Sequence, residues 1–137
     1  MSTNPPPAAN AADGPSTDTG ERIAVFVAWP YANGALHVGH VGGSLLPPDI
    51  FARFHRLRGA EVRMLSGSDT HGTPVSVRAE AEGRSPRDVY LEWHNSFLQT
   101  FRDLGISFDL FTHTDTANHH AVAKALFAQL ADSGVLV

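Results

Sequence analysis

Two histidines three residues apart, His37 and His40, are the first residues of the chain whose types and spacing indicate chemistry. Residues 23–28 form an apolar run rich in β-branched residues, which predicts a buried strand, and residues 41–58 have mostly helical character. The histidines therefore lie where a strand has ended and a helix begins, and there unpaired backbone N–H groups and the helix dipole attract anions. In a first helical turn both imidazoles project from one face, so they could donate hydrogen bonds to one phosphate chain. Gly39 between them has no Cβ, so a planar base could lie against the backbone.

The same pair of histidines also fits two simpler interpretations. Histidines at this spacing are often surface residues, and a His-x-x-His pair can be half of a metal site. We expect no metal site, because adjacent histidines on a helix face different directions. The histidines considered for such a site are His37, His40, His71, His119 and His120.

A second polar loop, residues 67–74, follows a predicted strand at residues 61–66. Because a helix separates this strand from the first, the two strands should pair in parallel, and ligands collect at the carboxyl ends of parallel strands. We therefore expect the two loops to share a pocket. Asp69 in the second loop would pair there with an ammonium group, although a turn-forming aspartate that binds its own backbone is a common alternative.

The rest of the pattern predicts an α/β fold, in which helices flank a parallel sheet. The proline pair at residues 47–48 should break or kink the first helix, which continues to about residue 58. Further elements are expected at the following positions: helices at 75–82, 85–104 and 114–132, a short strand at 106–111, and the start of another strand at 135–137.

Composition limits the classes of protein that the chain can belong to. Its 137 residues, 42% apolar and 18% charged, suit one globular domain at residues 21–137, and the proline-rich residues 1–20 predict a disordered tail. The net charge of −4 argues against bulk electrostatic binding of nucleic acid, and the lack of cysteine excludes disulfides and cysteine-ligated zinc within these residues. We see no membrane span and no signal peptide, so a cytoplasmic location is expected.

Two segments of the sequence resemble a known signature. Residues 30–34, Pro-Tyr-Ala-Asn-Gly, followed by His-Val-Gly-His at 37–40, resemble the His-x-Gly-His region of class I aminoacyl-tRNA synthetases, specifically the methionyl family. Residues 67–74 are similar to that family's Asp-x-His-Gly-Thr-Pro segment. The family usually has glutamate where this chain has Thr70, at a position that looks exposed.

The resemblance implies a Rossmann-like catalytic domain that binds ATP, with Mg²⁺, as a substrate. Such an enzyme activates L-methionine to methionyl-adenylate and transfers methionine to tRNA(Met). His37 and His40 would hold the ATP phosphates during catalysis, and Gly39 would admit the adenine.

The resemblance also implies a methionine site. Asp69 would bind the α-amino group, Tyr31 would form one wall of the thioether pocket, and the backbone of Trp29 would contact the amino group. Trp29 replaces a more common aliphatic residue. His71 would either contact the ligand or support the loop.

Several parts of the family pattern are absent from the sequence. The Lys-x-Ser-Lys-Ser signature is missing, since Lys124 is the only lysine, and the zinc-bearing insertion and anticodon-binding helices are missing too. We therefore expect the chain to be the first half of a catalytic domain that has been truncated. The tRNA contacts would lie in the missing regions, and the isolated chain would be inactive. The alternatives are a His-x-Gly-His nucleotidyltransferase and a non-catalytic remnant or interaction module.

Overall fold

The computed structural model describes residues 20–136. The expected disordered tail at residues 1–20 falls almost entirely outside the described residues, so the predicted domain limits stay a prediction. Residues 135–136 are not in a strand, and residue 137 is outside the described range, so a strand start at 135–137 is not seen in the part that is described.

Three strands and five helices follow one another in the described chain. The strands are β1 (Arg22–Phe26), β2 (Glu61–Ser68) and β3 (Leu110–His113). The helices are α1 (Val38–His40), α2 (Leu46–Leu57), α3 (Thr73–Glu82), α4 (Pro86–Leu104) and α5 (Ala117–Asp132), and a π-helical segment, Val41–Leu45, joins α1 to α2.

The three strands form one parallel sheet in the order β1-β2-β3. Helix α2 connects β1 to β2 and packs on β2, and α3 packs against α4. The predicted α/β class with a parallel sheet and flanking helices is thus confirmed. Because all three strands run in the same direction, their carboxyl ends lie at one edge of the sheet, where loops can share a site.

The first strand differs from the prediction of a fully buried strand. Its residues alternate between exposed and half-buried, and Phe26 is 78% exposed. The reason is its place in the sheet: β1 is an edge strand, and within the described residues one of its faces is not covered.

The proline pair at residues 47–48 does not end the helix. The π-helical turn precedes it, where the Leu46 N–H donates to the Val41 carbonyl, five residues back. The prolines then occupy the first turn of α2, where a missing backbone N–H leaves no helical hydrogen bond unmade. The expected disruption therefore takes the form of a widened turn just before the prolines.

The last two elements begin later than predicted. Strand β3 covers residues 110–113 instead of 106–111, and α5 begins at Ala117 instead of residue 114. The Thr116 hydroxyl accepts a hydrogen bond from the His119 N–H and so fixes the helix start. Residues 114–116 become a loop at the carboxyl end of the third strand, directly beside the candidate site.

Candidate active site

The two loops singled out in the sequence lie side by side. The Ala32 N–H donates to the Asp69 carbonyl at 3.0 Å, and the Asp69 N–H donates to the Pro30 carbonyl at 2.9 Å. These bonds make Tyr31 and Asp69 a parallel bridge that continues the β1–β2 pairing past the end of β1. Backbone pairing, and not side-chain packing alone, therefore fixes the position of one loop against the other.

The histidine pair caps its own helix. The His37 Nδ1 accepts from the Gly39 and His40 N–H groups at 3.1 and 3.4 Å, and the His40 Nδ1 accepts from the His37 N–H at 3.3 Å. The ring centroids are 3.8 Å apart. Three backbone N–H groups that we expected to be open to an anion are thus occupied, because the imidazoles themselves act as the cap.

This cap determines where each neutral imidazole carries its proton. A nitrogen that accepts a hydrogen bond has no hydrogen, so the proton of each neutral ring is on Nε2. Each ring therefore offers one Nε2–H donor away from the helix backbone. The expected ability of both histidines to donate to one anion is retained, through Nε2 alone.

Gly39 is required by its neighbour's ring. A Cβ at this position would lie 2.9 Å from the His37 Cε1 and 3.0 Å from the His37 Nδ1. The absence of a side chain thus lets the His37 imidazole lie across the Gly39 backbone. This is an additional reason for glycine, beside the expected access for a planar base.

Two cavities lie next to the paired loops and share Trp29 as a wall. The first, of about 240 Å³, contains the His40 side of the site, and the second, of about 450 Å³, contains Asp69. Residues that line the first cavity include Tyr31, Leu36, His40 and Ser44. Residues that line the second are Trp29, Asp69, His71, Thr114 and His119.

Two glycines of the second loop make room for the aromatic side chains of the first. A Cβ at Gly67 would lie 2.6 Å from the Trp29 ring, and a Cβ at Gly72 would lie 2.3 Å from the Tyr31 ring. Both rings therefore lie directly on the backbone of β2 and the following loop. The Trp29 side chain, whose role the sequence left open, forms the partition between the two cavities.

The expectation that Thr70 is exposed is wrong, because the residue is only 4% exposed. Its N–H donates to the Thr114 hydroxyl at 2.9 Å, and the two hydroxyls hydrogen bond at 2.8 Å. The Thr114 N–H in turn donates to the Ser68 carbonyl at 3.1 Å. The loop after β2 is thus held against the loop after β3.

Behind Asp69, a buried polar pair supports the end of β2. The Ser68 hydroxyl and the His94 Nδ1 are 2.9 Å apart, and both side chains are buried. Burial lowers the pKa of His94, and the neighbouring His113 acts in the same direction. A neutral His94 therefore forms the floor beneath the loop that carries Asp69.

His71 and two residues that we did not predict for the site, Asp115 and Tyr90, complete its edge. The His71 backbone N–H donates to the Asp69 Oδ1 at 3.3 Å, and the His71 side chain lines the Asp69 cavity. Asp115 lies nearby and accepts a hydrogen bond from the Tyr90 hydroxyl. This bond, followed by the charges of His120, His71 and Arg87, lowers the pKa of Asp115.

The position of Asp115 follows a rule that we applied only to the first two strands. Asp115 and Thr114 come directly after β3, whose carboxyl end lies beside that of β2. The Tyr90 hydroxyl contributes from α4, and burial raises its pKa to about 12, with the Asp115 carboxylate contributing second. The sequence signal was the Thr-Asp pair after a predicted strand; we interpreted it only as a helix start.

Comparisons with known proteins extend over nearly all of the described chain. A family model described as tRNA synthetases class I (M) matches residues 23–137. The methionine–tRNA ligase of Thermomicrobium roseum is 60% identical over 116 residues, covering 85% of this chain and 20% of that protein. The methionine–tRNA ligase of Roseiflexus castenholzii is 56% identical with the same coverage.

A solved structure has the same fold. The Mycobacterium tuberculosis methionyl-tRNA synthetase, in complex with methionyl-adenylate, superimposes with a TM-score of 0.79 and 35% identity, covering 83% of this chain and 22% of that chain. The chain thus spans about one fifth of the length of the relatives that it matches. Among residues 20–136, no helix is both long enough and apolar enough to span a membrane.

Proposed function

The chain belongs to the methionyl family of class I tRNA synthetases, and from that premise we propose that it is part of an ATP-dependent methionine–tRNA ligase. The proposed enzyme joins L-methionine to ATP, which enters with Mg²⁺ as substrate, and releases pyrophosphate to form methionyl-adenylate. It then transfers methionine to tRNA(Met) in the cytoplasm. Residues 21–137 would be the N-terminal half of the nucleotide-binding catalytic domain.

The observation that carries this proposal is the backbone pairing of the two loops. The hydrogen bonds between Asp69 and the chain at Pro30 and Ala32 place the His40 cavity beside the Asp69 cavity. A reaction between two substrates needs two adjoining sites of different chemistry, because positioning supplies much of the rate enhancement. One cavity is lined by the His40 imidazole and the Ser44 hydroxyl, which can donate hydrogen bonds to phosphate, and the other by the Asp69 carboxylate, which suits an ammonium group.

On the ATP side, His37 and His40 would donate their Nε2–H groups to phosphate oxygens. The methionine carboxylate attacks the α-phosphorus, the new C–O–P bond forms, and pyrophosphate leaves with its electron pair. Negative charge builds on the phosphate oxygens as the bonds change, so donors held in place contribute transition-state stabilisation and no covalent chemistry.

On the methionine side, the proposed roles belong to Asp69, Tyr31 and Trp29. The Asp69 carboxylate would pair with the α-ammonium group, and its Oδ1 is already oriented by the His71 N–H. The Tyr31 ring is seated on Gly72 and lines the His40 cavity. There it would form one wall around the thioether, since sulfur packs well against an aromatic ring, so methionine would extend from Asp69 past Trp29 into that cavity. The Trp29 backbone would contact the amino group, and its ring borders both cavities.

Ligand binding to the 137-residue chain tests this division of roles. We expect Asp69→Asn to weaken L-methionine binding by at least about tenfold in calorimetry, because a charge-assisted pair is lost, and to leave ATP binding unchanged. Asp103→Asn on the exposed side of α4 is the matched control and should alter neither affinity.

The outcomes separate the proposed function from its alternatives. An equal loss of methionine and ATP affinity in Asp69→Asn would contradict the assigned role. A folded chain that binds neither ligand would favour a non-catalytic remnant, and one that binds ATP without methionine would favour a His-x-Gly-His nucleotidyltransferase. The comparisons do not favour either alternative.

A further inference from the structure

Three side chains from three different segments converge at the rim of the Asp69 cavity. They are His71 after β2, Asp115 after β3 and His120 in the first turns of α5. The Nε2 atoms of the two histidines are 3.3 Å apart, the His120 Nε2 lies 3.1 Å from the Asp115 Oδ1, and the His71 Nε2 lies 3.9 Å from the same oxygen. We propose that these residues form a binding site for a divalent transition-metal ion of the zinc type.

The distances match the spacing of ligands around a tetrahedral ion. Zinc binds histidine nitrogen and carboxylate oxygen at about 2.0–2.2 Å, so two ligand atoms on one ion are separated by about 3.3 Å. The three observed separations lie around this value. A single ion in the centre of the triangle needs only small side-chain adjustments to contact all three atoms.

The chemistry of the donor set also fits a cation. A proton on one imidazole nitrogen must be shared between the other imidazole and the carboxylate oxygen, whereas a metal ion contacts all three atoms at once. When both rings are neutral with free Nε2 lone pairs, all three atoms are ligands for zinc. Histidine nitrogen with a carboxylate is a donor set that zinc and its neighbours prefer over magnesium or calcium.

The carboxylate is held in an orientation that leaves one oxygen for the ion. The Tyr90 hydroxyl donates to the Asp115 Oδ2, and the Arg87 guanidinium lies 3.5 Å from the same oxygen. Hydrogen bonds of this type orient metal-binding carboxylates and are part of a functional metal site. The Oδ1 atom is thereby directed to the two histidines.

His119, the direct neighbour of His120, is not a member of the site. Its ring faces Trp29, with the ring centroids 6.2 Å apart, and it lines the cavity wall on the other side. Our expectation that adjacent helical histidines face different directions thus holds, yet it does not exclude a site, because the second histidine comes from the loop after β2. The sequence argument against a metal site named His71 among its candidates, but the reason that it gave applies only to histidines adjacent on one helix.

A metal ion at this site would cross-link three segments of the chain. His71 lies in the loop that carries Asp69, and its own N–H contacts the Asp69 carboxylate. A bound ion would tie that loop to α5 and to the end of β3 and so restrict the position of Asp69. With three protein ligands, the fourth tetrahedral position is left for water on the solvent side. This proposal does not depend on the proposed enzymatic activity.

Titration of the 137-residue chain with Co²⁺ and then Zn²⁺ tests the proposal. Four-coordinate Co²⁺ gives intense visible absorption, and Zn²⁺ should abolish it by displacement. His120→Ala and Asp115→Asn should each weaken binding by more than about 100-fold, since each removes a direct ligand, and Tyr90→Phe should weaken it by about tenfold. His119→Ala is the matched control, and its affinity should stay within about twofold of the unchanged chain.

Other results would overturn the assignment. Binding that is unchanged in His120→Ala, or no binding of either ion at micromolar concentration, would exclude the site. Loss of binding in His37→Ala with full binding in Asp115→Asn would move the ion to the histidine pair of α1. Circular dichroism checks each variant, and Asp115→Asn, which keeps the side-chain shape, decides the question if His120→Ala does not fold.

Discussion

Replacing Thr114 by valine should destabilise the chain more than any other single removal of a hydroxyl beside the site. The Thr114 hydroxyl is the partner of two groups of Thr70, its backbone N–H at 2.9 Å and its hydroxyl at 2.8 Å. Thr70 is only 4% exposed, so water has little access to either group after the change. The substitution therefore leaves two donors or acceptors of one buried residue without a partner.

The size of the effect follows from these two bonds. A buried polar group left without a partner destabilises a protein by about 1–3 kcal/mol. Because Thr114 itself is half-buried, some water can approach from its side, and we expect a loss of about 2–3 kcal/mol for Thr114→Val. Thr70→Val removes only one neutral hydrogen bond, keeps the bonded N–H, and should lower the free energy of unfolding by about 1 kcal/mol.

A double-mutant cycle measures the interaction directly. The four chains are the unchanged protein, the two single variants and the double variant. Each is unfolded in urea while circular dichroism monitors the transition, and the free energy of unfolding follows from its linear dependence on urea concentration. The double variant has no unpaired Thr70 hydroxyl, so it should be more stable than Thr114→Val by about 1 kcal/mol, a coupling expected for side chains in contact.

The order of stabilities is the part of the prediction that can fail most clearly. If Thr70→Val destabilises the chain as much as Thr114→Val, the Thr114 hydroxyl is not the common partner of both groups. If the double variant is less stable than the unchanged chain by the sum of the two single effects, the two hydroxyls do not interact. Either result would refute the account of how the loop after β2 is held against the loop after β3.

Two further predictions concern the histidines. Gly39→Ala should displace the His37 ring, because the new Cβ would lie 2.9 Å from the ring's Cε1. Calorimetry should then show that the affinity for ATP is reduced by about tenfold. Gly42→Ala is the control and should bind ATP normally, because a Cβ at Gly42 meets no neighbouring group within 4 Å. The pKa of the buried His94 lies below the ordinary value of 6.5, so below that pH the unfolded chain binds more protons than the folded chain. The free energy of unfolding should therefore fall as the pH decreases, by up to about 1.4 kcal/mol per pH unit. His94→Asn, which retains a hydrogen-bonding group for Ser68 and does not titrate, should remove this part of the pH dependence in urea titrations; an unchanged slope would show that another group is responsible.

The helical and strand periodicities predicted most of the fold because they depend on local burial. The stop at Gly105 and the Ser85 cap of α4 are local signals, and the structure has both. The exposure of Phe26 could not be predicted from its run of apolar neighbours, since it depends on which elements cover that face of β1. The burial of Thr70 was missed for a similar reason, because its partner Thr114 is 44 residues away.

The adjacency of the two loops was predicted, while their detailed chemistry was not. The parallel-strand rule requires only the order of the elements, and it placed Asp69 beside the first loop correctly. The same rule applied to β3 would have brought Asp115 to the site. What the rule cannot supply is the partner of each hydrogen-bonding atom, such as the Tyr90 hydroxyl from α4, because a helix can approach the edge in many rotations.

The capped histidines change the expected basis of phosphate binding at this helix. A bare helix N-terminus binds an anion through backbone N–H groups, but here the His37 ring already accepts from two of them, and the His40 ring from a third. An approaching phosphate therefore meets Nε2–H groups first. Each ring transmits the polarity of the helix terminus outward, because an imidazole whose Nδ1 accepts from backbone N–H groups has a more strongly polarised Nε2–H. Gly39 is part of this arrangement, since a Cβ there would lie 2.9 Å from the His37 Cε1 and would force the ring away from the backbone N–H groups that polarise it.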